Sequence, residues 1–223
     1  MLIFTSDFER RYFQRFAPWV RGRSALIPIG SNVPLALKQG ARQPNVVTHF
    51  GLIRPKKGLE EVLAMARVFK ERKNGLSVRI VGTVLPDYGS YYALLRNEAQ
   101  DLPIEWMLDL EGEHLARVLA QTEVAYLPFP DGASERRGSL IAMLTNSVAV
   151  ITTRGPQTPS AMEGAVLLTG DPSDAATIAE GICCNYELRG DIQAKAAEYS
   201  LKFAWDEIVA QHLVIYQRLI EKG

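Results

Sequence analysis

The stretch HFGLIRPKKGLEEVL, residues 49–63, joins the end of an apolar run to the start of a helical pattern. The run NVVTHF is short, rich in β-branched residues and stops at Gly51, which predicts a strand followed by a turn. Apolar residues then recur at helical spacing, at Leu59, Val62, Leu63, Ala66 and Phe69. A strand, a loop and a helix are therefore predicted in this order, with the adjacent lysines Lys56 and Lys57 in the loop.

The same alternation continues along the chain. Further strands are predicted at SALIPI, LSVRIVG, PIEWML, EVAYLPF, VAVITT and GAVLLT. Helical patterns are found in SYYALLRNEAQ, EHLARVLAQ and DPSDAATIAEGI, the last opening with an Asp/Ser start signal. Strands that are apolar on both faces and alternate with helices predict an α/β fold: a Rossmann-like parallel sheet, from about Pro44 to Gly170, with helices on both faces.

Two flanking segments lie outside this sheet. The opening MLIFTSDFERRYFQRFAPWV predicts a strand and a helix, and DEIVAQHLVIYQRLIEKG predicts one long C-terminal amphipathic helix after Trp205. We therefore predict three parts: residues 1–34, a Rossmann-like domain over 35–190, and C-terminal helices over 191–223 that pack back toward the first part.

Composition restricts the function classes. The chain has 25 basic and 25 acidic residues, but ten Lys and Arg precede Gly58 against Asp7 and Glu9 alone. This balance disfavours a general nucleic-acid binder, although the basic first quarter suits a phosphate-rich ligand.

The adjacent Cys183 and Cys184 imply no disulfide. No apolar run is long enough for a signal peptide or a membrane span, so we expect a cytoplasmic protein with at most peripheral membrane contact.

Ligands of such sheets bind at the carboxyl ends of the strands, which directs attention to the loops. In the loop after NVVTHF, Gly51 permits a turn, Arg54 and Lys57 supply positive charge, and Gly58 opens a helix whose free N–H groups favour an anion. A diphosphate fits this set, and a solvated basic loop is the alternative. The loop lacks the Gly-Lys-Ser/Thr order of a Walker motif, and no strand is followed by Gly-x-Gly-x-x-Gly, which disfavours nicotinamide cofactors.

The loop PFPDGASERRGSLIAML, residues 128–144, offers a second anion-binding helix start after Arg136 and Arg137. Gly138 and the N–H groups that follow it would bind the anion, whereas the hydroxyl of Ser139 is expected to cap the helix. The carboxylate of Glu135 can accept hydrogen bonds from the hydroxyl groups of a sugar. The alternative is that Glu135 is a solvent-exposed loop carboxylate.

The loop IVGTVLPDYGSYY carries a weaker signal. Gly82 is expected either to permit a turn or to allow a ligand to approach the backbone. For Tyr88, Tyr91 and Tyr92, packing in the protein and stacking on the base of a ligand are the two alternatives. The histidines His49, His114 and His212 are scattered, lack metal-ligand spacing and are expected to be structural or surface residues.

In their order, these loops resemble the C-terminal, donor-binding half of GT-B glycosyltransferases of family 4, the group 1 glycosyl transferases. FGLIRPKKG matches that family at Gly51, Lys57 and Gly58, with Leu52 where Arg is usual and Arg54 as a displaced substitute cation. The resemblance implies that Lys57 holds the donor diphosphate and stabilises it as it leaves.

A second family motif contains two Glu residues and an intervening Gly. ERRGSLIAM keeps Glu135 and Gly138, whereas Met143 replaces the second Glu. By resemblance, Glu135 contacts the transferred sugar, and recognition of the ribose is altered at Met143. The segments NSVAVITTRGPQTP, FAWDEIVAQHLVIYQRLI, FTSDFERRYF and IPIGSNVP are similar to further family elements, so the likeness covers nearly the whole chain.

The resemblance implies a nucleotide-sugar donor domain for retaining, metal-independent transfer, with no cofactor besides the donor substrate. It implies Lys57 and Glu135 as catalytic residues, and as donor-binding residues Gly51, Arg54, Gly58, Gly82, Arg137, Gly138, Ser139 and Met143. Compared with the family, most of the acceptor domain is absent, so we expect a truncated chain whose partner is a separate acceptor chain or a second copy. Two alternatives stay open: a non-catalytic nucleotide-sugar-binding remnant, and a module that docks partners or an anionic membrane surface through FERRYFQRFAPWVR.

Overall fold

The structure is a computed structural model that describes residues 1–37 and 40–221. Its main element is a six-stranded parallel sheet in the order β5-β4-β3-β6-β7-β8. The strands are β3 Gln43–Phe50, β4 Ser77–Gly82, β5 Ile104–Leu108, β6 Thr122–Leu127, β7 Ala149–Thr152 and β8 Leu167–Leu168. The predicted α/β fold with a Rossmann-like parallel sheet is confirmed. This is the doubly wound order, in which the chain reverses direction across the sheet between β3 and β6.

Helices cover both faces of this sheet. They are α2 Leu59–Arg72, α3 Gly89–Glu98, α4 Gly112–Ala120, α5 Gly138–Thr145, α6 Pro172–Cys184 and α7 Tyr186–Ser200. One apolar core packs α2, α3 and α6 against one face, and a second packs α5 and α7 against the other. Every residue of β6 is buried, as expected for a strand with helices above and below.

Helix α6 shows the start signal that the sequence predicted, because the side chain of Asp171 accepts hydrogen bonds from the N–H groups of Ser173 and Asp174. Helix α7 follows after one residue and was not predicted from the pattern. It buries Ile192 and Ala196, a narrow apolar contact that periodicity detects poorly.

The first residues form a separate two-stranded parallel sheet. It consists of β1 Leu2–Phe4 and β2 Ser24–Leu26, connected through α1 Asp7–Phe16 and a 3-10 turn over Pro18–Arg23. The strand predicted over SALIPI is therefore shorter than expected and does not join the main sheet.

The long C-terminal helix α8, Trp205–Ile220, is confirmed. Ile208 and Ile215 of α8 pack on Ile27 just after β2, and the indole N–H of Trp205 donates to the carbonyl of Ser31 at 2.8 Å. The helix therefore joins the opening segment to the rest of the chain. The division at residues 34 and 190 stays a prediction, and residue 190 lies inside α7.

Cys183 and Cys184 are free and end α6. Within the described residues, no helix combines the length and apolar character that crossing a membrane requires.

Candidate functional site

A cleft of about 420 Å³ opens at the carboxyl ends of β3, β4 and β6, where the strand order reverses. Its walls come from residues in the segments 29–33, 49–52 and 81–83, from Lys57 and Phe129, and from the start of α5. The loops after β3 and β6, which lie about eighty residues apart in sequence, meet here because parallel strands end at one edge of a sheet.

Lys57 projects into this cleft without an acidic partner. It is half-buried and makes no salt bridge within residues 1–37 and 40–221. Burial lowers the pKa of Lys57, the positive charges of Arg54 and Arg137 lower it further, and Asp131 partly opposes them. The charge of Arg54 therefore reaches Lys57 although Arg54 does not line the cleft, and among the described residues Lys57 is the cation of the cleft wall without a salt bridge to a carboxylate. Its neighbour Lys56 is exposed to solvent.

Two glycines hold the loops in contact. Gly58 has φ 77°, and a Cβ added there would lie 2.0 Å from the carbonyl oxygen of Pro128 in the loop after β6. A Cβ on Gly82 would lie 2.0 Å from the carbonyl oxygen of Gly51. Gly58 and Gly82 thus permit the close approach of loop backbones that forms the cleft floor.

Helix α5 presents its N-terminus to the cleft. It begins at Gly138 and has no side-chain cap. The expectation that Ser139 caps the helix is wrong, because the helix starts before Ser139 and includes it. Both Gly138 and Ser139 line the cleft, and a Cβ on Gly138 would meet nothing within 4 Å. Free N–H groups and the helix dipole therefore face open space, an arrangement that favours an anion.

Arg137 and Arg136 occupy the opposite lip. The guanidinium of Arg137 lies 4.9 Å from the ring centre of Phe129 and donates to Asp131, while its buried Nε has no partner among the described residues. Arg136 donates to Glu9 of α1 at 2.6 Å, which connects the opening helix to the cleft.

Glu135 lies away from Lys57. Its Oε1 accepts hydrogen bonds from the hydroxyl of Tyr199, at 2.7 Å, and from the ammonium of Lys202. The side chain lines a second pocket, between α1 and the segment 156–161. Sequence reasoning gave no hint of Tyr199 or Lys202, since both follow from the docking of α7 on α5.

Met143 is completely buried in the second core and does not line the cleft. The third loop contributes Gly82 and Thr83 to the cleft. Its tyrosines point elsewhere: Tyr91 donates to Glu60 at 2.6 Å, and Tyr92 packs edge-on against Trp106.

His49 is a cleft residue that the sequence reasoning placed among structural histidines. It is the second-last residue of β3 and only 2% exposed, with Nδ1 3.1 Å from the carbonyl oxygen of Tyr126, while Nε2 has no partner among the described residues. Burial, and to a lesser extent the charge of Lys57, lowers the pKa of His49 to about 4 against the opposing hydrogen bond to Tyr126. The imidazole is therefore neutral at pH 7. The available signal was its position two residues before Gly51.

Residues 1–37 and 40–221 contain no cluster of three His, Cys, Asp or Glu side chains suited to a metal ion. The charged side chains in the cleft wall are basic: Lys57, Arg136 and Arg137.

The fold is shared with glycosyltransferases of the GT-B class. A glycosyltransferase from Rickettsia africae superposes with a TM-score of 0.78 at 12% identity, over 99% of this chain and 64% of that one. The pneumococcal O-GlcNAc transferase GtfA, solved with UDP and GlcNAc, gives 0.70 at 16% identity, over 99% and 44%. The C-terminal domain of LpcC from Francisella tularensis, a glycosyl transferase group 1 family protein, gives 0.59 at 13% identity, over 74% and 91%.

The chain spans about two thirds or less of the length of the Rickettsia and pneumococcal enzymes, at 64% and 44%. No protein-family model and no curated protein sequence matches the chain.

Proposed function

We propose that this chain binds a nucleoside diphosphate sugar in the cleft and acts as the donor half of a retaining, metal-independent glycosyltransferase of the group 1 type. One observation carries the proposal: Lys57, which has no salt bridge within the described residues, and the uncapped start of α5 meet where the strand order of the sheet reverses. This is the position at which doubly wound sheets bind nucleotides.

A diphosphate matches the charges of this arrangement. The charges of Arg54 and Arg137 both act on Lys57, and Gly138 and Ser139 at the start of α5 add backbone N–H groups to the same cleft wall. When the bond between the sugar and the diphosphate breaks, negative charge grows on the leaving oxygen. Fixed cations and N–H groups stabilise that charge in the transition state without a divalent ion. The leaving phosphate itself would take the acceptor proton, so the mechanism needs no base from this chain.

The comparison supports the ligand class, since the pneumococcal relative in fold was solved with UDP and GlcNAc. Glu135 suits contact with the transferred sugar through its second oxygen, because both hydrogen bonds described above are to Oε1. We further propose that residues 1–34 face the acceptor side, which a separate acceptor chain or a second copy completes. The exposed aromatic residues of this part are Phe8, Tyr12, Phe13, Phe16 and Trp19.

The test is calorimetric titration of the chain with UDP, GDP and ADP, each with and without EDTA. We expect one nucleotide to bind in EDTA and to bind at least about tenfold more weakly to Lys57→Ala, as loss of a charge-assisted contact predicts. Lys56→Ala is the matched control, because it removes the adjacent but exposed lysine and should leave affinity within about twofold.

Equal affinity of the Lys57→Ala and wild-type chains would contradict the proposed phosphate site. Binding that disappears in EDTA would contradict metal independence while leaving the site in place.

A second candidate function is nucleotide-sugar binding without transfer. Met143 favours it, because this buried side chain provides no polar group to the cleft. This alternative is favoured if the chain binds a nucleotide sugar but neither hydrolyses it nor transfers the sugar to added acceptors. Addition of an acceptor-domain chain should then produce no transfer activity.

Docking of a partner through α1 is a third candidate function. It is supported if a partner binds the intact chain but does not bind the Phe16→Ser variant.

A further inference from the structure

Nε2 of His49 is buried and has no partner among the described residues, yet it belongs to a side chain of the cleft wall. A Cβ built on Gly51 would lie 3.8 Å from Nε2 of His49 and meet no other atom within 4 Å. Both residues line the cleft. This buried nitrogen therefore lies in the same wall as Gly51 and Lys57.

The hydrogen-bonding role of this nitrogen is set by the backbone. The carbonyl oxygen of Tyr126 can only accept, so Nδ1, 3.1 Å away, carries the proton of the neutral ring. Nε2 then holds a lone pair and can only accept a hydrogen bond. Its proton-free state at pH 7 agrees with the lowered pKa of this buried imidazole.

The cleft wall contains buried polar atoms that find no hydrogen-bond partner among the described residues. Five buried side-chain atoms of the described residues have no partner, and two of these, Nε2 of His49 and Nε of Arg137, belong to the cleft wall. Buried polar atoms are rarely left unpaired unless something outside the chain satisfies them. The two atoms are complementary, since Arg137 can donate to a phosphate whereas His49 requires a donor.

A phosphate cannot satisfy His49, because its ionised oxygens are acceptors. No Asp or Glu is among the described residues of the cleft wall, and Asn32, Thr83 and Ser139 can donate as well as accept. Nε2 of His49 is therefore a buried acceptor in this wall that a ligand hydroxyl, but not a phosphate oxygen, can satisfy.

We propose that Nε2 of His49 accepts a hydrogen bond from a hydroxyl group of the bound ligand and so selects ligands that present a hydroxyl next to the phosphate site. This rests on the proposed nucleotide-sugar function. In such a ligand the hydroxyl belongs either to the ribose or to the sugar.

Two substitutions separate recognition from packing. In His49→Asn the shorter amide can still donate to Tyr126, but it leaves no acceptor at the position of Nε2. In His49→Gln the longer side chain can place its oxygen near that position. We expect His49→Asn to bind the nucleoside diphosphate or its sugar form about fivefold or more weakly, and His49→Gln to recover part of the loss.

The ligand series identifies the hydroxyl. The nucleoside diphosphate that binds the wild-type chain is compared with its 2′,3′-dideoxy analogue and its sugar form. A His49→Asn effect that disappears with the dideoxy analogue assigns the contact to the ribose, and an effect confined to the sugar form assigns it to the sugar. Gly51→Ala should imitate His49→Asn by filling the space before Nε2, whereas Gly181→Ala, at an exposed position of α6 with free space, should not.

An equal loss on all three ligands, or no loss on any, would overturn the inference while leaving the proposed function standing. A wild-type chain that binds none of the ligands would overturn both.

Discussion

At the residue scale, Gly58 immediately precedes α2 and Gly138 begins α5, and glycine matters at the two positions for different reasons. Gly58 has φ 77° and lies against the carbonyl of Pro128, so a side chain would strain the backbone and force the loops apart. Gly138 has open space around its Cβ position and lines the cavity. A Cβ there would lie in open space at the cleft wall rather than against the protein.

These two glycines give a paired prediction. Gly58→Ala should lower the free energy of unfolding by about 2 kcal/mol or more, because left-handed backbone strain adds to a direct clash. Gly138→Ala should change it by less than about 1 kcal/mol yet weaken nucleotide binding. Urea denaturation and calorimetric titration of both variants measure the two effects. Retained stability in Gly58→Ala would show that the loops separate without cost.

Lys57 and Gly51 are residues whose placement the sequence predicted, since a strand that stops at a glycine before a basic helix start is a local pattern. His49 could not be assigned in the same way. Whether a histidine at a strand end faces core or cavity depends on its neighbour strand, here on the Tyr126 carbonyl of β6.

At the element scale, the attachment of α8 depends on a small apolar cluster. Ile208 and Ile215 are nearly buried against Ile27, whereas many other apolar side chains of the helix are exposed. A helix held by so few contacts can open without unfolding the sheet. The Trp205 hydrogen bond to Ser31 is its second attachment.

We therefore expect Ile215→Ala to destabilise α8 locally by about 2 kcal/mol or more. Faster amide hydrogen exchange in α8, with unchanged exchange in β3 and β6, is the measurement. Ile220→Ala removes the same atoms from a side chain that is 80% exposed and should have an effect below about 0.5 kcal/mol. Uniform acceleration across the whole chain would instead show that α8 unfolds together with the sheet.

The contacts around α5 and α7 are an example of what the sequence pattern of single helices does not predict. The sequence predicted a helix at α5 but not at α7, and the link to Glu135 from Tyr199 of α7 and from Lys202 just after it arises from the packing of these segments beside α5. No spacing rule connects residues so far apart in the chain.

At the scale of the whole molecule, ligand binding should raise the stability of the fold, because the cleft joins loops from opposite halves of the sheet. A nucleoside diphosphate at about one hundred times its Kd should add about 2.7 kcal/mol, which for a chain of this size raises Tm by about 5–10 °C. Lys57→Ala at the same concentration should show about half that shift. Thermal unfolding followed by circular dichroism measures it, and equal shifts in both chains would contradict a role for Lys57.

The sequence by itself determined the parallel α/β sheet, most helix positions and the basic loop at Lys57. These features depend on local physical chemistry: the alternation of buried strands and amphipathic helices, and the glycines and charges at their junctions. The likeness of the loops to GT-B glycosyltransferases pointed to the same fold that the structural comparison found.

The tertiary structure alone decided which residues share the cleft. It placed His49 beside Lys57 and Met143 in the core, and it turned Glu135 toward Lys202. The physical reason is that strand order and helix crossing bring together groups far apart in sequence, and only that packing determines which polar atoms are paired and which face the cavity.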